Sequence, residues 1–213
     1  MSNKTLKIVL VDDHAVVRTG YRLLLENSPF IEIVGELSSG EEANQKALEL
    51  EADIFVMDLS MPGMGGLEAI KRIKAKNKKI KILVFTMHEN PIFAEQALEA
   101  GASGYITKNN APNVLVDAVL AISQGEKFID EQLREELSAR QLGIKGELSN
   151  LSQREFQIFC LFAEGKNASE IADDLSLSVK TVANYQTQIK DKLDLNSTAD
   201  LVKLAITNGI IKM

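Results

Sequence analysis

The sequence predicts an α/β unit built on a parallel sheet, followed by a smaller all-helical unit. Three observations carry that expectation. Apolar runs of strand length alternate with amphipathic helical patterns up to about residue 124, strand signals vanish beyond a charged stretch at 131–140, and polar residues stand at the C-terminal ends of four of the apolar runs. Strands that alternate with helices pair in parallel, with crossovers that cover both faces of the sheet.

Five strands are expected, over residues 7–11, 31–37, 53–57, 80–85 and 104–106. The second alternates apolar and polar residues and suits an edge, whereas the first, third and fourth are nearly continuous apolar runs that suit a buried centre. Helical spacing fills the gaps at 15–26, 40–50, 65–75, 91–100 and 112–123. Gly101 stops the fourth helix, and Pro112 stands where a first-turn proline starts the fifth. A flavodoxin-like strand order 2-1-3-4-5 sets the first and third strands side by side, and ligands of open α/β sheets lie outside the carboxyl ends of the strands.

The residues at those ends are Asp12, Asp13, Asp58, Thr86 and Lys108, which the fold would gather into one acidic pocket. Three carboxylates within a few ångströms repel by about 4 kcal/mol per pair at an effective dielectric near 20. The site should therefore hold a cation, and oxygen ligands point to Mg²⁺.

From residue 125 to about 150 the pattern changes to a short charged helix and a linker containing Gly143 and Gly146. Four helix-period segments follow, at 153–164, 168–175, 179–193 and 198–208. Ser152 with Glu155 three residues on forms a capping box, Gly165 closes that helix, and Ser178, Ser197 and Thr198 are candidate caps further on. Two short helices joined through Ser176, Leu177 and Ser178 give a helix-turn-helix signal, at about 166–185.

Composition narrows the function. Among 213 residues the single cysteine excludes an internal disulfide framework and a cysteine-based zinc site, and Cys160, in an apolar run, is expected as a buried small hydrophobe. No apolar stretch approaches the roughly 18 residues of a bilayer span and the start lacks a signal-peptide core, so a cytoplasmic protein without membrane contact is expected. The net charge of −6 argues against wholesale wrapping of nucleic acid while leaving room for a local contact surface. Gly63, Gly65 and Gly66 suit a tight loop and are no phosphate cradle, since neither GxGxxG nor a Walker lysine follows the first strand.

Val9-Leu-Val-Asp-Asp-His14, Met57-Asp-Leu-Ser-Met-Pro-Gly-Met-Gly-Gly-Leu67, Val84-Phe-Thr86 and Gly104-Tyr-Ile-Thr-Lys108 together resemble the receiver domain of two-component response regulators. Residues 151–201 resemble the LuxR-type helix-turn-helix module, so the whole chain is similar to a NarL/FixJ-type response regulator. The resemblance implies a (βα)5 receiver over 1–124, a linker with a short helix over 125–148 and a four-helix DNA-binding domain over 149–213. It implies Asp58 as acceptor of a phosphoryl group from a sensor histidine kinase. Asp12, Asp13, Asp58 and the backbone carbonyl of Ser60 would hold Mg²⁺, while Thr86 and Lys108 meet the phosphoryl oxygens. Tyr105 would turn inward behind Thr86 as a switch, and Ser60 and His88 would set the lifetime of the aspartyl phosphate. His14 is expected to start a helix rather than to take part in the chemistry. Asn109 departs from the proline that commonly follows the lysine.

In the second unit, Val182, Ile189 and Leu193 are spaced to face the core, which leaves Lys180, Thr181, Ala183, Asn184, Thr187, Gln188 and Lys190 or Lys192 toward solvent or DNA. The resemblance puts base reading on Ala183, Asn184 and Thr187, and sets Tyr185 where the family often has histidine. Asn and Gln can contact adenine, a threonine methyl can touch thymine, and lysines can neutralise phosphates. So few lysines imply weak binding by a monomer and hence a homodimer on phosphorylation, with the apolar face of 201–206 available for that contact. No enzymatic activity is expected beyond accepting a phosphoryl group and slowly losing it. The rival readings are a receiver-like regulator that works without phosphate and an aspartate-nucleophile phosphatase, whose nucleophile and acid would need Asp-x-Asp spacing where this chain has adjacent Asp12 and Asp13.

Overall fold

A computed structural model describes residues 5–109, 111–142 and 147–211. The chain divides into two compact units, Met1–Leu137 and Ser138–Met213. In the first, β1 (Leu6–Val11), β2 (Ile31–Leu37), β3 (Ile54–Met57), β4 (Lys81–Thr86) and β5 (Gly104–Thr107) alternate with α1 (Ala15–Glu26), α2 (Gly40–Lys46), α3 (Gly65–Lys76), α4 (Pro91–Ala100) and α5 (Ala111–Ser123). All strand pairs are parallel. The order 2-1-3-4-5 is present, and it is extended at one edge by β6 (Phe128–Ile129), so the sheet has six strands instead of the expected five.

Residue alternation divides the core in two. Ile8, Leu10, Ile54, Val56, Leu83, Phe85 and Ile106 pack with Leu25 of α1 and with Leu115, Ala118, Val119 and Ile122 of α5. Their neighbours in the strands, Val9, Val11, Phe55, Met57, Ile82 and Val84, are buried too, with side chains on the opposite face. A sheet buried on both faces explains why the central strands read as unbroken apolar runs. The second helix ends at Lys46, short of the expected residue 50. Leu50 leaves the helical path to lie over Gly35 of β2, where an added Cβ would stand 3.3 Å from Leu50 Cδ1.

Caps fall where the sequence places them. Asn90 accepts the Ile92 N–H ahead of Pro91, and Gly101 ends α4 in the left-handed region at φ 108°. β6 lies in a span expected to be linker, and α6 (Glu131–Leu142) follows it directly. The first unit thus takes in β6 and part of α6. Gly143 and Gly146, on which the linker expectation leaned, lie outside the described residues.

The second unit has a 3-10 turn (Glu147–Asn150) and then α7 (Gln153–Ala163), α8 (Ala168–Asp174), α9 (Val179–Lys192) and α10 (Thr198–Thr207). Ser152 and Glu155 form the expected capping box, and Asn167 with Glu170 and Ser197 with Asp200 form two more. Phe156, Phe159, Ile171, Val182, Ile189, Leu201 and Ala205 make its core. On the α10 segment expected to serve a dimer contact, Leu201 and Ala205 are fully buried and Val202, Leu204 and Ile206 are half-buried.

Candidate phosphoacceptor site and nucleic-acid interface

The carboxyl ends of β1, β3, β4 and β5 bring the expected residues together. Asp58 follows β3 directly and is 3% exposed. Its Oδ1 accepts the N–H groups of Leu59 at 2.7 Å and Ser60 at 3.3 Å, and its Oδ2 lies 2.7 Å from Lys108 Nζ. Lys108 also reaches Asp12 Oδ2 at 2.6 Å, so one ammonium joins residues from three strand ends. Burial pushes the Lys108 pKa down, but the charges of Asp58 and Asp12 and their hydrogen bonds outweigh it and leave the pKa above the ordinary lysine value.

The loop after β3 needs glycine at one position in particular. A Cβ on Gly66 would stand 2.2 Å from the Asp58 carbonyl oxygen and 2.7 Å from Leu59 Cα, so the close approach of α3 to the Asp58 loop depends on the lack of a side chain.

Asp12 Oδ1 accepts the His14 N–H at 2.8 Å, and the Asp12 carbonyl accepts from Arg18 Nη1. Asp13 Oδ1 is buried and without a hydrogen-bond partner, and His14 Nδ1 stands 3.0 Å away. Ligand atoms of Asp12, Asp13, His14 and Asp58 all lie within 4.8 Å of one another. A buried carboxylate oxygen lacking a donor, in a cluster of three carboxylates, fits a hard divalent cation. His14 stands at the N-cap position of α1, but its side chain makes no cap bond and sits by the two carboxylates.

Thr86 is fully buried and its hydroxyl has no partner. Tyr105 is also fully buried, its hydroxyl donating to the His88 carbonyl at 2.8 Å. The inward position expected to follow phosphorylation is thus present in this structure. Burial, then the Asp58 and Asp130 charges, pushes the Tyr105 pKa far up, which keeps the hydroxyl a donor. Ser60 Oγ and His88 Nε2 are 2.9 Å apart, and the His88 ring stacks on Phe93 at 3.9 Å between centroids. Burial lowers the His88 pKa below its ordinary value despite the Asp58 charge. Asn109 Nδ2 donates to Glu89 Oε1 at 2.5 Å.

Two residues at this site were not read from the sequence. Arg18, one turn into α1, fixes the Asp12 carbonyl, and nothing in the local pattern distinguishes it from a surface arginine. Asp130 binds Thr107, the residue before Lys108, and only the unexpected β6 brings it there.

In the second unit, Lys180, Ala183, Asn184, Thr187 and Gln188 are exposed along α9, and Tyr185 and Lys190 are half-buried. Thr181 is tied to the cap, its N–H donating to Ser178 Oγ at 3.0 Å. The Lys192 side chain is 43% exposed, and its ammonium lies 2.7 Å from the buried Glu155 Oε2, so it supports the fold of this unit while standing on the solvent side of α9. Val179, at the start of α9, is 51% exposed.

A parallel sheet with an acid cluster, a buried lysine and a buried threonine at its carboxyl ends, in series with a helix-turn-helix unit, defines a receiver joined to a DNA-binding effector. Residues 8–120 match the response regulator receiver domain, and residues 149–205 match the bacterial regulatory proteins of the luxR family. The chain belongs to the NarL/FixJ-type response regulators, which are transcription factors. It is 36% identical over 209 residues to the response regulator UvrY of Escherichia coli strain K12, covering 96% of this chain and 95% of the relative. Among solved structures it is similar to RcsB of Salmonella enterica serovar Typhimurium bound to promoter rprA in the presence of phosphomimetic BeF3⁻, with 29% identity, a TM-score of 0.70 and coverage of 94% of this chain and 98% of that one. It is similar as well to a structure of two RcsB dimers bound to two parallel DNAs, with 30% identity, a TM-score of 0.61 and coverage of 94% and 97%. Among the described residues no helix is long and apolar enough to cross a membrane.

Proposed function

We propose that this chain accepts a phosphoryl group on Asp58 from a sensor histidine kinase and, in that state, dimerises and binds DNA in the cytoplasm to control transcription. The observation that carries the reading is the buried Asp58 carboxylate, held by Lys108 beside two further aspartates. A carboxylate oxygen of Asp58 forms a bond to phosphorus, the P–N bond of the kinase phosphohistidine breaks, and the imidazole leaves with the electron pair. Mg²⁺, held by Asp12, Asp13, Asp58 and the Ser60 carbonyl, supplies charge neutralisation when bound. Lys108 is protonated throughout and can exchange a carboxylate partner for a phosphoryl oxygen. The unpartnered Thr86 hydroxyl can donate to another.

Ser60 and His88, hydrogen-bonded over the acceptor, are placed to govern water attack on the aspartyl phosphate, and through that its lifetime. We assign phosphoacceptance to residues 1–124 and DNA reading to 149–213, with β6 and α6 between them. The promoter-bound and dimeric RcsB structures support the DNA and dimer parts of the reading. In the second unit, Ala183, Asn184 and Thr187 are the base readers, with Gln188 and Lys180 beside them.

The test is selection from a pool of random duplexes by phosphorylated and unphosphorylated protein, with oligomeric state followed in parallel. Phosphorylated protein should enrich a two-fold-symmetric site as a dimer. Equal enrichment and equal mass in both states would refute phosphate control.

A further inference from the structure

The sixth strand is only two residues long, and the side chain of the next residue takes over the work of a strand. β6 pairs with β5 at Gly104 and Tyr105. Beyond that point the edge of β5 is completed by Asp130, which is 6% exposed. The Asp130 N–H donates to the Tyr105 carbonyl at 3.2 Å. Its Oδ2 accepts the Thr107 N–H at 2.7 Å and the Thr107 hydroxyl at 3.0 Å. One residue thus brackets the segment from Tyr105 to Thr107. Its own carbonyl accepts the Arg134 N–H at 2.9 Å, which begins α6.

The next residue along β5 is Lys108. It leaves a strand two places from β3 in the sheet order, and adjacent strands are about 4.8 Å apart, so its ammonium must reach across roughly 10 Å to meet Asp58. A long reach makes the contact sensitive to where the lysine starts. On the β4 side that start is fixed by the Lys108 N–H donating to the Thr86 carbonyl at 2.8 Å. On the outer side it is fixed by the Asp130 carboxylate acting on Thr107. A buried carboxylate accepting two hydrogen bonds is a strong clamp, because the bonds are charge-assisted and no water competes for them.

We propose that Asp130 is a positioning residue for Lys108: by clamping Thr107 it holds the lysine where its ammonium meets the acceptor carboxylate and the incoming phosphoryl group. The proposal rests on the reading of Lys108 as a phosphoryl-binding group. It extends the phosphoacceptor machinery beyond the five strands, to the residue on which α6 begins.

The test uses the full chain with acetyl phosphate and Mg²⁺, comparing wild type with Asp130→Ala, Asp130→Asn and Thr107→Val, all assayed well below their melting temperatures. Asp130→Ala removes both bonds and should lower the maximal rate of Asp58 phosphorylation by about tenfold or more, with little change in the half-saturating phosphodonor concentration, because the lysine is misplaced and not lost. Asp130→Asn keeps an acceptor oxygen toward Thr107 and should restore most of that rate. Thr107→Val removes only the hydroxyl bond, is the mildest change to folding, and should give an intermediate rate.

In parallel, Lys108 is mapped by amine acylation and mass spectrometry without any phosphodonor, and should label faster in Asp130→Ala than in wild type. Variants that melt lower but match wild type in maximal rate and in Lys108 labelling overturn the proposal, as does an Asp130→Asn rate as low as that of Asp130→Ala. If Asp130→Ala does not fold, Thr107→Val at wild-type rate and labelling overturns it equally. A wild type that takes up no phosphoryl group refutes the phosphoacceptor reading instead, and the labelling comparison still decides whether Asp130 holds Lys108.

Discussion

His88 shows how one side chain ties the Asp58 loop to α4. Its ring stacks on Phe93 of α4, its Nε2 meets Ser60 Oγ, and its carbonyl accepts from Tyr105. Burial holds its pKa below the ordinary 6.5, so between the two values the unfolded chain binds a proton that the folded protein does not. Stability then rises with pH across that window. It is fully present above the unfolded value and is lost as pH falls toward the folded one. Wild type should therefore lose more unfolding free energy between pH 7.5 and 5.5 than His88→Gln does, in denaturant titrations at the two pH values. Equal losses would contradict the burial of a neutral ring. At this scale the sequence was informative wherever a residue type had to stand at a strand end, as with Asp58, Thr86 and Lys108. It was silent wherever the role comes from a distant partner. Lys192 illustrates the difference, since helical spacing places it on a polar face but only the fold brings Glu155 to it.

Elements were legible in proportion to their periodicity. Long buried strands and capped helices announce themselves, whereas β6 has two residues, too few for any pattern, and is stabilised by what lies next to it. Gly104 of β5 permits that neighbour. A Cβ at Gly104 would meet the Phe128 carbonyl oxygen at 2.5 Å and Ile122 Cδ1 at 2.7 Å, and although the Ile122 tip can yield, a paired backbone carbonyl cannot. Gly104→Ala should cost about 1–3 kcal/mol by overpacking and should raise hydrogen exchange at Asp130 N–H, which bonds to Tyr105 across the same edge. A stability within about 0.5 kcal/mol of wild type, with exchange unchanged, would mean that β6 is not held against β5. The early end of α2 has a similar origin, because contact between Leu50 and β2 overrides a helical pattern that continues in the sequence.

An acidic chain carries the aspartate pocket in one unit and, in the other, the sparsely basic helix α9 that we assign to DNA reading. In the proposed reading, α9 offers the exposed Lys180 and Lys192 and the half-buried Lys190 to phosphates. If roughly two to four phosphates are neutralised per protomer, log K should fall against log salt with a slope of about −2 to −4 per protomer. Fluorescence anisotropy over a salt series reads this directly, and a slope near −8 per protomer would place the main contact surface elsewhere. The two-unit plan and the acid pocket were both visible in the sequence, because each rests on patterning over many residues. The extension of the first unit through β6 was not, since it depends on a few buried hydrogen bonds.

Asp58 as the phosphoacceptor is tested by intact mass spectrometry after incubation with Mg²⁺ and acetyl phosphate. Wild type should gain the mass of one phosphoryl group and Asp58→Ala should gain none. No gain in wild type, or the same gain in Asp58→Ala, would contradict it.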